Sequence, residues 1–155
     1  MLVVDLDPQR NLTSGLGFTL PEGAPTAYEL LVGRRPATEL AQLTSIPNLT
    51  LIPGSADLAG IDVELATGDE SGERQLAVGL RSAGDAEVIL VDTPPSLGLV
   101  TVSALAIADA VLVPVQCEYY ALEGLSQLMA TIRLVRERLN PTLQVNGLLL
   151  TMLDP

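Results

Sequence analysis

The stretch from Glu87 to Gly98, which reads E-V-I-L-V-D-T-P-P-S-L-G, constrains the fold of this chain most strongly. Its apolar run, Val88 to Val91, is mostly β-branched and predicts a strand that is buried on both faces of a parallel sheet. Asp92 ends this strand, because the prolines and the glycine that follow do not continue it. Open α/β sheets hold their ligands at the carboxyl ends of their strands, so we expect Asp92 to lie at a ligand site. The alternative is that Asp92 only caps the turn before a helix that starts near Leu97.

A single carboxylate at this point suits a site for magnesium and phosphate, because Mg²⁺ keeps most of its water and needs one or two carboxylates from the protein. The composition also limits which catalytic and phosphate-binding residues the chain can supply. The chain has no histidine, and its eight basic residues are all arginine, so the usual general base and the phosphate-binding lysine are both missing. The single cysteine, Cys117, excludes an internal disulfide and favours a reducing compartment. A net charge of −11 makes the chain by itself a poor non-specific ligand of nucleic acid.

The first residues repeat this plan, with an apolar strand that ends in carboxylates followed by proline and glycine: M-L-V-V-D-L-D-P-Q-R-N-L-T-S-G-L-G. Asp5 and Asp7 are two residues apart, so on an extended chain their side chains point to the same side. Two carboxylates at such a short distance repel each other. A bound cation, a water network or backbone donors must compensate for this repulsion. The alternative is a solvated turn rich in Asp and Pro.

Apolar strand patterns alternate with helical patterns along the rest of the chain. Besides the first strand, strands are predicted over 49–52, 88–91, 110–115 and 143–151, and helices over 25–33, 38–43, 56–66, 74–83, 99–108 and 121–139. This alternation predicts an α/β fold with a doubly wound, mostly parallel sheet in a single domain. With no apolar run as long as a membrane span and no signal-peptide pattern, we expect a cytoplasmic protein without a membrane partner.

Three blocks carry a resemblance to a known family: V-V-D-L-D-P-Q-R-N-L-T-S-G-L-G, then V-I-L-V-D-T-P-P-S-L-G, then V-P-V-Q-C-E-Y-Y-A-L-E-G-L-S-Q-L. Together with the closing L-L-L-T-M-L-D, they resemble the ParA/Soj family of chromosome- and plasmid-partitioning ATPases, relatives of MinD with a deviant Walker A motif. The resemblance spans nearly the whole chain and implies a P-loop NTPase-like fold, ATP and Mg²⁺ as cofactors, and ATP hydrolysis.

The resemblance also implies roles for individual residues. Asp7 matches the switch I aspartate that positions the attacking water, and Asp5 before it would support the magnesium shell. Asp92 matches the Walker B aspartate that holds magnesium through water, and Thr93 to Gly98 match the switch II turn that senses the γ-phosphate.

Further along the chain, Pro114, Met152 and Asp154 lie where such proteins enclose the adenine. Tyr119, Tyr120 and Glu123 fall in a stretch that resembles the nucleotide-dependent dimer face of the family. The resemblance thus implies a homodimer that switches with ATP on non-specific DNA, a ParB-like activator and association with the nucleoid.

This chain departs from the family in one large respect. Family members begin with a strand and a loop of the type K-G-G-V-G-K-T-T, whose amides and lysines cradle the phosphates, and this sequence contains no such segment. We expect that segment ahead of Met1, beside the Asp92 strand, and a basic segment with further helices past Asp154. Residues 1–155 are therefore interpreted as a partial ATPase domain that binds ATP weakly or not at all. Without the missing strand, it exposes two apolar strand edges or pairs Val88–Val91 with a different neighbour, and we expect the chain alone to be poorly folded or to self-associate.

Two other functions remain open at this point. The V-V-D-L-D motif resembles the opening of haloacid-dehalogenase-like phosphatases, in which the first Asp is the nucleophile, although Pro8, Gln9 and the lack of lysine do not suit that chemistry. The second is a non-catalytic interaction module with an ATPase-like scaffold.

Overall fold

The computed structural model describes residues 1–21, 23–67, 72–84, 86–117 and 121–152, without the side chains of Ala121 and Leu122. The chain divides into two compact units, Met1–Ala104 and Leu105–Pro155.

The first unit is built on a four-stranded sheet in the order β2-β3-β1-β4. Its strands are β1 (Leu2–Asp5), β2 (Gln42–Leu43), β3 (Thr50–Ile52) and β4 (Ile89–Asp92). β1 runs parallel to both β3 and β4, whereas β2 runs antiparallel to β3. The prediction of an α/β fold with a mostly parallel sheet is therefore confirmed.

The helices of the first unit follow the predicted order, except that the first of them was not predicted. They are α1 (Asn11–Gly15), α2 (Ala27–Leu31), α3 (Ala37–Leu40), a 3-10 helix (Ala56–Gly60) that leads into α4 (Ile61–Thr67), α5 (Gly72–Arg81) and α6 (Leu99–Ile107), which runs on into the second unit. Thr26 and Glu29 form a capping box, in which the Glu29 carboxylate accepts from the Thr26 amide at 2.7 Å, so α2 starts at the predicted position.

The predicted helix over 38–43 is wrong in its second half. Helix α3 ends at Leu40, Ala41 is extended, and Gln42 and Leu43 form β2. Gln42 lies opposite Leu51 and Leu43 opposite Thr50, so this short strand satisfies backbone groups on the outer edge of β3. Pairing partners seven and nine residues away, which local helical spacing does not reveal, decide the conformation.

The core of the first unit lies around β1, whose four residues are all buried. The largest fully buried side chains in this unit include Leu2, Val4, Leu6, Leu30, Leu31, Leu51, Ile52, Ile61 and Leu76. All of these are aliphatic, as expected for a chain that is only 3% aromatic.

The prediction that the central strand is buried on both faces is wrong for this chain. Val88 is 48% exposed and Leu90 is 53% exposed. Among the described residues, β4 pairs only with β1, because it is the last strand in the sheet order. The second edge of β4 thus remains free to pair, as expected from the absence of a neighbouring strand in the sequence.

The second unit contains a two-stranded parallel sheet of β5 (Ala110–Gln116) and β6 (Gln144–Thr151), joined by the long helix α7 (Ala121–Arg138). A bulge interrupts the register between Val111 and Leu112, and Gly147 at this point has a φ of 151°. After α7, the Asn140 side-chain amide donates to the carbonyls of Leu105 and Ala108 at 3.1 and 2.7 Å, which ties the chain to the end of α6. No helix in the described residues is both long and apolar enough to cross a bilayer.

Candidate functional site

The carboxylates of the two predicted acidic motifs, at the start of the chain and at residues 87–98, lie at one edge of the first sheet. Asp5 and Asp92 are the last residues of β1 and β4 and lie directly opposite each other in the parallel register. The Leu6 amide then donates to the Asp92 carbonyl at 2.9 Å, which holds the two strand ends together. Since the strands are parallel and adjacent, their carboxyl ends form a single site edge.

Asp5 is fully buried, and protein donors occupy both of its carboxylate oxygens. Oδ1 accepts from the Asp7 amide at 3.1 Å, and Oδ2 accepts from the Thr13 amide at 2.8 Å and the Thr13 hydroxyl at 2.6 Å. The sequence left open whether a cation, water or donors of the chain compensate for the repulsion between Asp5 and Asp7. In the structure, donors of the chain itself contact both carboxylates. Thr13 was not recognised from the sequence, because no local pattern links it to a residue eight positions earlier.

Asp7 follows β1 in a tight turn and is 8% exposed. Its Oδ1 accepts from the Gln9 amide at 2.8 Å, and its carbonyl accepts from the Arg10 amide at 3.0 Å. Arg10 adopts a left-handed conformation with a φ of 59° at the start of α1. Among the described residues, no donor contacts Asp7 Oδ2, which leaves this oxygen available to a ligand or water.

Asp92 is the most exposed of the three carboxylates, and its pKa is nevertheless raised above its ordinary value. The main cause is loss of solvent around the carboxylate, and the negative charges of Asp5 and Asp7 add to it. Repulsion among three carboxylates is what a bound cation relieves, so the donor set fits Mg²⁺.

No group of three or more His, Cys, Asp or Glu side chains in the described part of the chain has the arrangement of a metal cage.

The turn after Asp92 is tied to two helices of the first unit. The Thr101 hydroxyl in α6 donates to the Ser96 carbonyl at 2.7 Å, and the Val100 amide donates to Asp62 Oδ1 of α4 at 3.2 Å. A Cβ atom at Gly98 would displace the Asp62 carboxylate, so the two positions are in close contact. No local pattern distinguished Asp62, whose carboxylate lies near the N-terminus of α6.

A cavity of about 90 Å³ lies beside this turn. It is walled by Leu6 and Pro8 after β1, by Asp62 of α4, and by Pro94 and Ser96. Both of the segments that resemble switch regions therefore line the same small space.

The residues predicted to enclose a nucleotide base belong to the second unit. Pro114 lies in β5 opposite Leu149 of β6, and Met152 follows the end of β6, 75% exposed and with a φ of 53°. Asp154 lies outside the described residues, as do Tyr119 and Tyr120 of the predicted dimer face, whereas Glu123 is exposed in the first turn of α7.

A larger cavity, about 510 Å³, also lies in the second unit. It is lined by Met129, Ile132, Arg133, Arg136, Glu137, Pro141 and Val145 and contains none of the predicted site residues. The chemistry of the carboxylates therefore favours the small cavity of the first unit over the larger one.

Comparison with known proteins gives consistent relatives for this arrangement. The AAA_31 family, described as an AAA domain, matches residues 1–145. The chain is 51% identical over 154 residues to the chromosome partitioning protein ParA of Myxococcus xanthus, covering 99% of this chain and 54% of that protein. It is 46% identical over 155 residues to the sporulation initiation inhibitor protein Soj of Bacillus subtilis, covering 99% of this chain and 61% of that protein.

Among solved structures, a similar fold occurs in cobyrinic acid a,c-diamide synthase from Mycobacterium smegmatis with a bound ATP analog and magnesium. The TM-score is 0.89 at 38% identity, over 99% of this chain and 62% of that one. The chain thus spans little more than half of the length of the curated relatives it matches.

Proposed function

Because this chain belongs to the AAA_31 family of AAA domains, with the ParA and Soj partitioning proteins among its relatives, we propose that it is part of an ATPase that partitions chromosomes or plasmids. The observation that carries this proposal is the register of β1 and β4, which brings Asp5 and Asp92 to one edge of the sheet with Asp7 in the turn beyond. The identity of 51% to a partitioning protein, against 38% to the amide-forming synthase, favours partitioning over the second activity.

In this proposal, Asp92 holds Mg²⁺ through water and Asp7 orients the water that attacks the γ-phosphate. Bound Mg²⁺ would neutralise charge on the phosphates, so catalysis would depend on positioning and electrostatics and would not need a histidine base. Asp7 is suited to its role by the fixed position of its backbone and by the unpartnered Oδ2. Pro114, Met152 and Asp154 would enclose the adenine.

We further propose that residues 1–155 act as a partial domain that requires a phosphate-binding strand and loop of the type K-G-G-V-G-K-T-T. The free edge of β4, next to Asp92, supports a parallel strand at this position. Without lysine and without a glycine-rich loop, the chain alone is expected to bind ATP weakly or not at all.

The proposal for the intact protein is a homodimer that forms with ATP, binds DNA without sequence preference at the nucleoid, and is stimulated by a ParB-like activator. Glu123, with the neighbouring Tyr119 and Tyr120, would contribute to the dimer face. Sedimentation of the intact protein with and without ATP, in the presence and absence of DNA, tests this part, and an unchanged monomer in all conditions would contradict it.

A calorimetric titration with Mg·ATP tests the nucleotide site. Two proteins are compared: the chain itself, and an extended chain that carries a family-type strand and K-G-G-V-G-K-T-T loop ahead of Met1. We expect no detectable binding by the first and a micromolar, magnesium-dependent affinity for the second, which Asp92→Asn abolishes. Micromolar binding by the chain alone would refute the proposed dependence on the loop. No binding by either protein would leave the non-catalytic interaction module.

A further inference from the structure

We propose that Asp5 is a positioning residue that fixes the turn carrying Asp7, through a hydrogen-bonded unit formed by Asp5, Thr13 and Gly54, and that it is not a direct metal ligand. This inference rests on the proposed function insofar as it assigns Asp7 a role in ATP hydrolysis. The geometry of the unit itself is independent of nucleotide.

The first step of the argument is the cost of burying the Asp5 carboxylate. A fully buried carboxylate is strongly unfavourable unless donors compensate for the water it has lost. Three donors do so, and all three belong to Asp7 and Thr13, the two ends of one short segment. The carboxylate therefore closes the loop between these residues as a clamp.

The second step is the orientation of the Thr13 hydroxyl. The Gly54 amide donates to Thr13 Oγ1 at 2.9 Å, so the hydroxyl proton must point to Asp5 Oδ2. Every group that faces the Asp5 carboxylate in these contacts is thus a donor. An amide in place of the carboxylate would direct an NH₂ group at a donor in either of its two orientations.

The third step connects this unit to the site. The Asp5 carboxylate fixes the amide of Asp7, and the side chain of Asp7 then accepts from the Gln9 amide. These two contacts define both the backbone and one carboxylate oxygen of Asp7. Three of the acceptor positions of the Asp5 carboxylate are occupied by donors of the chain, and the side chain has no solvent exposure, so Asp5 is directed at the turn and not presented to a metal ion or its water.

The direct test is amide hydrogen exchange of the chain as it exists, without nucleotide. In Asp5→Asn, the Asp7 and Thr13 amides should exchange at least about tenfold faster, the effect of losing one hydrogen bond, while amides of β3 serve as an internal reference. Unchanged exchange at Asp7 and Thr13, or an equal increase at all amides, would overturn the inference, since the second result indicates only global destabilisation.

A matched pair at residue 13 covers the case in which Asp5→Asn does not fold. Thr13→Ser keeps the hydroxyl, and Thr13→Val replaces it with a methyl group of similar size. We expect faster exchange at Asp7 in Thr13→Val and protection close to that of the parent in Thr13→Ser. Equal exchange at Asp7 in these two variants would contradict the relay through the hydroxyl.

Turnover of Mg·ATP by the extended chain separates the inference from the proposed function. A positioning role predicts that Asp5→Asn lowers kcat by about 100-fold, the usual cost of a misplaced catalytic group, with KM for Mg·ATP little changed. A metal-ligand role predicts instead a higher requirement for Mg²⁺ with kcat restored at saturation, and that result would overturn the inference. If the extended parent chain has no activity, the proposed function fails, and the exchange results still decide the role of Asp5.

Discussion

Asp5 and Asp92 lie directly opposite each other at the ends of two adjacent parallel strands, one fully buried and compensated by three donors, the other exposed and without such compensation. The two carboxylates occupy equivalent places in the sheet and differ in their surroundings. This difference supports the proposed assignment of a positioning role to Asp5 and a ligand-binding role to Asp92.

Replacing Asp92 by Asn should raise the melting temperature of the chain at neutral pH. Its pKa is raised in the folded protein by burial and by two neighbouring carboxylates, so the ionised form opposes folding. The folded state holds this proton more tightly than the unfolded state does. Stability of the parent therefore falls as pH rises from about 4 through the raised pKa of Asp92, and this part of the slope should disappear in Asp92→Asn. Asp109→Asn, at an exposed residue of the second unit, is the matched control. A lower melting temperature for Asp92→Asn at pH 7 would contradict the prediction.

Gly54→Ala should destabilise the chain by about 1–3 kcal/mol, as overpacking does in a closely packed site. A Cβ atom at this position would lie 2.9 Å from Asp5 Cγ and 3.1 Å from the Asp5 carbonyl oxygen. Urea unfolding measures the change. Gly60→Ala is the control, because a Cβ atom there has no neighbour within 4 Å, and its stability should differ little from that of the parent. Equal stability of Gly54→Ala and Gly60→Ala would contradict the prediction, because it would mean that the residues around Gly54 move to accommodate the added methyl group.

Asn140→Ala should lower the free energy of unfolding by about 1–3 kcal/mol, because the substitution leaves buried carbonyl groups without their donor. The Asn140 side chain is 8% exposed and donates to the carbonyls of Leu105 and Ala108. Gln127→Ala, on the exposed surface of α7, should have an effect within about 0.5 kcal/mol. Thermal unfolding monitored by circular dichroism distinguishes the two variants, and similar melting temperatures would contradict the importance of the Asn140 contacts.

Tyr28 should titrate above its ordinary pKa of about 10. Its hydroxyl donates to Glu64 Oε2 at 2.8 Å, and this hydrogen bond is the main cause of the raised pKa, followed by burial and the Glu64 charge. The stabilisation is therefore present below pH 10 and lost as the pH rises through the raised pKa of Tyr28. Absorbance at the tyrosinate band measures it, with Tyr28→Phe to assign the signal among the three tyrosines. Glu64→Gln should move the midpoint down, and no movement would contradict the assigned cause.

The free edge of β4 should make the chain associate with itself as its concentration rises. Leu90 is 53% exposed on this strand, and exposed apolar edges pair with other chains unless a charge prevents it. Leu90→Lys should reduce association in sedimentation velocity experiments. Val63→Lys replaces a residue that is 69% exposed on helix α4 and should have no such effect. A parent chain that remains monomeric over the accessible concentrations would refute this prediction.

Local sequence patterns were sufficient for the main elements and for the positions of Asp5 and Asp92 at the ends of two strands. The apolar runs before Asp5 and Asp92 predicted β1 and β4, and the parallel register follows from strands that alternate with helices. The helix predicted over 25–33 likewise contains α2, which starts at Ala27. These features depend on neighbours within a few residues, which a pattern in the sequence contains.

Contacts between distant residues were not predictable in the same way. Gly54 reaches Thr13 across 41 positions, and Asp62 reaches Val100 across 38, so nothing in the local sequence distinguishes these residues from others of their type. The exposure of Leu90 was missed for a related reason, since burial of a strand residue depends on which distant parts of the chain cover its face of the sheet. The apolar composition of the strand is the same whether one or both faces are covered.

The contacts among residues 5, 13 and 54 also limit which amino-acid substitutions this chain tolerates in evolution or in a mutant library. Substitutions at these positions should be strongly epistatic, because the hydrogen bonds and close packing of Asp5, Thr13 and Gly54 depend on all three residues together. Single-site saturation would therefore score all three as intolerant, whereas simultaneous randomisation could recover apolar triplets that fold. We expect residues 5, 13 and 54 to be substituted together and not one at a time.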